Sequence, residues 1–191
     1  MKKKIIIGVT VALLVIAIIL GIIFMNKGKK TESETNLGKI EKAEDLSTLI
    51  NEIYKGKEET LPRLNTQIVD VNDADAIKNA TGLENGNDLQ FVAISEPIMS
   101  SQAYSLVLAK VKEGVNANNI AKTMSEQIDT RKWICVSAEK LYATNSGDIV
   151  CLVMSSEEWA KPVYDEFKNL AGQIGEEYTK TEELPELPEE L

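Results

Sequence analysis

Histidine is absent from all 191 residues. That removes the usual general base near neutral pH, the commonest metal ligand, and every triad or dyad built on imidazole. Cysteine is scarce: Cys135 and Cys151 are the only two, too few for a zinc site made of cysteine alone. Glycine-rich phosphate loops are missing as well. Gly82, Gly86 and Gly114 fit neither the P-loop spacing nor the dinucleotide fingerprint. No catalytic, metal or cofactor-binding set is therefore expected, and the cofactor expectation is none.

Charge is missing from Ile5 to Met25, where Thr10 is the one ordinary polar side chain. At about 1.5 Å per helical residue the run spans roughly 31 Å, enough to cross a hydrocarbon core of about 30 Å. A helix is required there because lipid offers no partner to free backbone groups. A cleaved secretory signal would be shorter and would end in small residues, but Ile22-Ile23-Phe24-Met25 offers none. A lipoprotein signal needs a cysteine just after the run, and the first is Cys135. The stretch reads as a retained signal anchor over residues 1–25, with the membrane as its partner. Lys2, Lys3, Lys4 and the terminal amine precede it; Lys27, Lys29 and Lys30 follow. That slight bias and the short leading tail place the N-terminus in the cytoplasm and the rest outside the cell membrane.

Six of the 21 basic residues flank this run and all 30 acids follow it, so the chain beyond Lys30 carries a net charge of −15. Such a domain is repelled by nucleic acid and by anionic lipid. Residues 26–41 are polar, with glycine, serine and threonine, and read as a flexible linker. Residues 42–175 are expected to form one domain. Residues 176–191, rich in glutamate and ending in ELPELPEEL, read as a disordered acidic tail.

Within the domain, Leu46, Leu49, Ile50 and Ile53 recur at helical spacing. Asn65 to Val69 is extended. Asp70-Val71-Asn72 opens like a calcium loop, but Ala74, Asp75 and Thr81 stand where an EF-hand needs a ligand, a glycine and a glutamate. Asn72 or Asp73 is instead the cap of a short helix ended by Gly82. Leu89 to Ser95 and Tyr104 to Val111 read as antiparallel strands, with Leu89, Phe91 and Ala93 sharing one face. A helix from about Asn116 to Lys132 carries Ala117, Ile120, Ala121, Met124 and Ile128 as its inner stripe. Lys140 to Thr144 and Ile149 to Met154 flank a turn over 145–148. That hairpin sets Cys151 opposite about Tyr142 and leaves Cys135 outside it, so the two are either buried free thiols or a disulfide. Pro162 argues against a helix already running at Ser156, so the last helix is expected to start near Pro162 and end at Gly175. Trp133 and Trp159 read as core anchors.

The fold class expected is α+β: an N-terminal transmembrane helix, then one domain with an antiparallel sheet and helices packed mainly on one face. The strands at 104–111 and 149–154 are apolar on both faces, however. The second face therefore needs cover, from the first helix, a second subunit or another protein.

One catalytic pattern occurs. Ser137-Ala138-Glu139-Lys140 fits S-x-x-K, in which lysine one helical turn from serine accepts its proton. Here Ser137 falls between a helix end and a strand, and no S-D-N or K-T-G follows.

From Tyr104 to Gly172 the chain carries SLVLAKV, the link KEGVNANN, a helix ending near Trp133, the hairpin EKLYATNSGDIVCLVMS, and then SSEEWAKPVYDEF. In this order, and in Gly147 to Ser155 above all, it resembles an uncharacterised family of bacterial membrane-anchored or lipoprotein extracytoplasmic domains, of the clostridial Firmicutes. The chain departs from that family's common lipoprotein signal. The family has no established activity, so the resemblance implies placement at the cell envelope and carries over no site residue. The leading expectation is a membrane-anchored, non-enzymatic binding or assembly module with an envelope protein or a second copy as partner. The alternative is a small envelope hydrolase with a Ser-Lys site at Ser137 and Lys140. A structural spacer is the third.

Overall fold

The computed structural model describes residues 36–182. The expected anchor at Ile5–Met25 and most of the linker lie outside them. Among the described residues no helix is long and apolar enough to cross a membrane. The elements run α1 (Ala43–Tyr54), β1 (Leu64–Val69), α2 (Ala74–Thr81), β2 (Leu89–Pro97), β3 (Ser105–Val111), α3 (Ala117–Gln127), β4 (Lys140–Ser146), β5 (Ile149–Ser155), α4 (Glu157–Ala171) and β6 (Tyr178–Thr181). The strands form one six-stranded antiparallel sheet in the order β1-β2-β3-β5-β4-β6.

The sheet is covered by helices on both faces, not mainly on one. Val107, Ala109, Val150, Leu152 and Met154 lie in one buried cluster with Ile77 of α2 and Ala121 and Met124 of α3. Leu106, Leu108, Ile149, Cys151 and Val153 lie in the other with Leu46, Ile50 and Ile53 of α1 and Val163, Tyr164 and Phe167 of α4. The double apolar alternation of β3 and β5 follows from this, and the cover is intramolecular. Each such Leu or Ile contributes about 2 kcal/mol relative to exposure.

Local signals account for most boundaries. Asp45 accepts bonds from the backbone N–H groups of Glu41 (2.9 Å) and Lys42 (3.1 Å), which satisfies the start of α1. Asp73 caps α2 through Ala76 N–H, and Gly82 ends it at φ +79°. A Cβ on Gly82 would also stand 2.4 Å from Ile128 N, so the end of α2 packs directly on the end of α3. The β4–β5 hairpin turns on Gly147-Asp148, and Asn145 and Ser146 remain in the strand.

Several expectations are corrected. A register shift between Leu89 and Phe91 turns Leu89 to the α2–α3 face, away from Phe91 and Ala93. Helix α3 ends at Gln127, not Lys132, because Ile128 is already extended. Helix α4 begins at Glu157 and runs through Pro162, and Gly172, not Gly175, ends it. Its first turn is closed by Ala160 N–H to Ser156 C=O at 2.9 Å, and burial of Ala160 and Val163 offsets the missing proline N–H. Cys151 pairs with Thr144, not Tyr142. Both cysteines are free; Cys151 is buried and Cys135 is exposed. The linker does not extend to residue 41: Ile40 is buried, and Asn36 N–H bonds Ala171 C=O at 3.2 Å. The tail does not begin at 176 either, since Tyr178–Thr181 pairs with β4.

Candidate functional site

Three connections meet at the end of the sheet where β3 begins and β5 finishes. They are the β2–β3 loop, the long segment between α3 and β4, and the entry to α4. The β2–β3 loop is tied down by Ser155, whose Oγ donates to Ala103 C=O at 2.7 Å. The long segment is closed by Ala138 N–H to Thr130 C=O at 2.8 Å. Between them lies a groove of about 280 Å³, lined by Gln102, Ala103, Val136, Ser137, Glu139 and Trp159 among others. The same two loops display Ile98, Met99 and Ile134, which are 62%, 61% and 70% exposed. Apolar side chains of this size gain nothing from water, and the two loops that carry them also border the groove that Trp159 lines.

Beneath this end sits the most deeply buried lysine ion pair. The Lys132 ammonium stands 2.7 Å from Glu96 Oε1, donates to Asn79 C=O at 3.1 Å, reaches Ser105 Oγ at 3.3 Å, and lies 5.5 Å from the centre of the Trp133 ring. The Glu96 contact is an ion pair without hydrogen-bond alignment. Burial pulls the Lys132 pKa below its ordinary value, while the Glu96 carboxylate opposes that shift. Asn79 belongs to the last turn of α2, whose carbonyls lack helical partners, so the ammonium also serves that helix end. One side chain thus pins the long segment to α2, β2 and β3. Trp133 packs partly on the α2–α3 cluster beside it.

The structure separates the Ser-Lys pair. Ser137 lines the groove, but Lys140 Nζ donates to Thr181 Oγ1 at 3.0 Å and faces Glu157 at 3.7 Å. Lys140 opens β4 rather than following Ser137 by one helical turn, so its ammonium serves β6. No hydrogen bond joins Ser137 to a base among the described residues. Cys151, buried beneath α4, has its thiol pKa pushed up by desolvation and is inert as a nucleophile. Trp159 is only half buried; it packs on the α1–α4 cluster and also lines the groove, so it is more than a core anchor.

A second, polar groove of about 160 Å³ lies at the opposite end of the sheet, bordered by Asn72, Asn85, Asn87 and Lys112. Lys112 Nζ there donates to Asn87 C=O at 2.7 Å. Asp70 and Asp73 are spent on local work: Asp70 accepts from Asn72 N–H at 2.9 Å, and Asp73 caps α2. Among the described residues no three acidic or cysteine side chains gather as a metal site.

The exposed apolar loops escaped sequence reasoning. Their signal was the pairing of Ile98 with Met99 directly after Pro97, inside a connection rather than a strand. Compared with protein-family profiles, curated proteins and solved structures, the chain matches none.

Proposed function

We propose that the chain is a non-enzymatic binding module at the bacterial cell envelope, anchored through Ile5–Met25, whose loop end takes an apolar segment of another envelope protein. One observation carries this reading: Ile98, Met99 and Ile134 stand in water on the two loops that border the groove lined by Trp159. The net charge of −15 beyond Lys30 favours a protein occupant, because that charge repels nucleic acid and anionic lipid. The resemblance of residues 104–172 to envelope domains supports the location. The hydrolase alternative loses its footing because the Lys140 ammonium is engaged with Thr181.

A photoreactive side chain placed at Ile98, and separately at Ile134, tests the reading in living cells. Both positions are expected to capture the same protein, and Met99→Asp is expected to abolish capture. A probe at exposed Glu84 serves as the off-site control. Different adducts at the two positions, or capture indifferent to Met99→Asp, would defeat the proposal.

A further inference from the structure

Among the described residues the sheet has an edge with no strand paired to it. Ile98 N–H bonds Arg63 C=O at 3.0 Å, which continues the β1–β2 register from the Leu64–Pro97 pair. In an antiparallel ladder, alternate residues turn both backbone groups to the same neighbour. Arg63, Asn65, Gln67 and Val69 therefore face β2, while Leu64, Thr66 and Ile68 turn their N–H and C=O groups outward. Strand β1 is last in the sheet, and nothing among the described residues pairs with that row. Natural edges are usually blunted by lysine, proline, a bulge or shortness. Strand β1, LNTQIV, has six residues, no charge, no proline and an unbroken register.

We propose that two copies of the chain join edge to edge through β1, antiparallel and centred on Thr66. This surface lies apart from the loop end, so the inference goes beyond the function proposed above. The choice of a second copy rests on self-complementarity. A twofold axis perpendicular to the sheet keeps every side chain on its own face, so paired residues must share parity. Centring on Thr66 meets that condition and matches outward row to outward row. It sets Leu64 against the partner's Ile68 and Thr66 against the partner's Thr66. Leu64 packs on the α1–α4 cluster, and Ile68 shares its face of the strand while standing 44% exposed. The pairing thus covers the apolar side chain that β1 leaves in water. It also lays the Arg63 end of each strand beside the Asp70 end of the other, whereas parallel pairing would set like charges together.

Cysteine crosslinking of the full chain in mild detergent tests the register. Exposed Cys135 is first replaced by serine; buried Cys151 can stay. Thr66→Cys meets its own copy at a Cα separation of about 5.5 Å, within disulfide reach. Ile68→Cys lies about 14 Å from its own copy, beyond reach. Mild oxidation should therefore convert Thr66→Cys largely to a dimer and leave Ile68→Cys monomeric. Adding Ile68→Lys to Thr66→Cys should abolish the dimer while an unchanged melting curve shows the fold intact. Met99→Asp should leave the crosslink untouched, which separates this proposal from the loop-end reading. A monomeric Thr66→Cys, an equal crosslink at Ile68→Cys, or a dimer that survives Ile68→Lys would each overturn it.

Discussion

The two edges of this sheet are built by different means. Strand β1 is six residues long, uncharged and held from within: α1 packs beneath it, and its outward backbone row meets no partner strand among the described residues. Strand β6 is four residues long, carries Lys180, and is lashed on by polar contacts. Gly175 N–H bonds Asn145 C=O at 2.7 Å, and Glu182 N–H bonds Glu139 C=O at 2.9 Å. Asn118 Nδ2 donates to the Tyr178 hydroxyl at 2.9 Å, and Tyr164 donates to Glu177 at 2.9 Å. An edge so short and charged is a poor template for another strand; β1 has neither defence. Apolar support should fail globally when cut, and polar lashing should fail locally.

The largest effect is expected under β1. Ile53 is fully buried in the cluster that also receives Leu64. Ile53→Ala should lower global stability by about 3 kcal/mol, read as a shifted denaturant midpoint with unchanged slope. If only the β1 amides lost protection in hydrogen exchange, apolar support of that edge would be a local matter and the contrast would collapse.

Next comes the Lys132–Glu96 pair, which sits one strand in from β1, where Glu96 pairs with Asn65. Lys132→Ala leaves the part-buried carboxylate without its cation and should cost about 2 kcal/mol. Replacing both partners, Lys132→Met with Glu96→Leu, should recover most of that loss. An equally unstable double variant would show that the lysine stem, not the charge, holds the long segment.

Much of this architecture was legible in the chain, because periodicity and capping are local. The helix at Leu46–Ile53, the cap at Asn72 or Asp73 and the β4–β5 hairpin rest on residues close in sequence, and the β2–β3 pair on two apolar runs joined by a short connection. The apolar alternation of β3 and β5 even required cover on both faces, which α1 with α4 and α2 with α3 supply. What was illegible depends on distant partners. Tyr178-Thr179-Lys180-Thr181 sits among glutamates and is a strand only because β4 offers it an edge. Helix α4 outruns Pro162 because tertiary burial outweighs a local penalty. Ile40 joins the core from a polar stretch. At the loop end, Ser137 was found from its motif, yet the lysine that gave the motif meaning is drawn away by Thr181, 41 positions on.

The smallest effect tests the lashing of β6 through pH. Glu177 accepts bonds from Lys168 Nζ at 3.0 Å and from the Tyr164 hydroxyl. The lysine first, and the hydroxyl with it, hold the Glu177 carboxyl below its ordinary pKa of 4.5. A depressed acid stabilises the folded state fully above its unfolded pKa, and that contribution is lost as pH falls through the folded value. The carboxylate is 46% exposed, so solvent screens it and the contribution should be about 0.5 kcal/mol or less. Exchange of the Tyr178–Thr181 amides, corrected for intrinsic rates, should therefore rise as pH drops below 4.5, with β5 unaffected. Glu177→Gln should produce the loosened edge already at neutral pH and flatten the response. If β6 keeps its protection in the variant, the backbone bonds from Gly175 and Glu182 hold it alone, and the side-chain lashing is incidental.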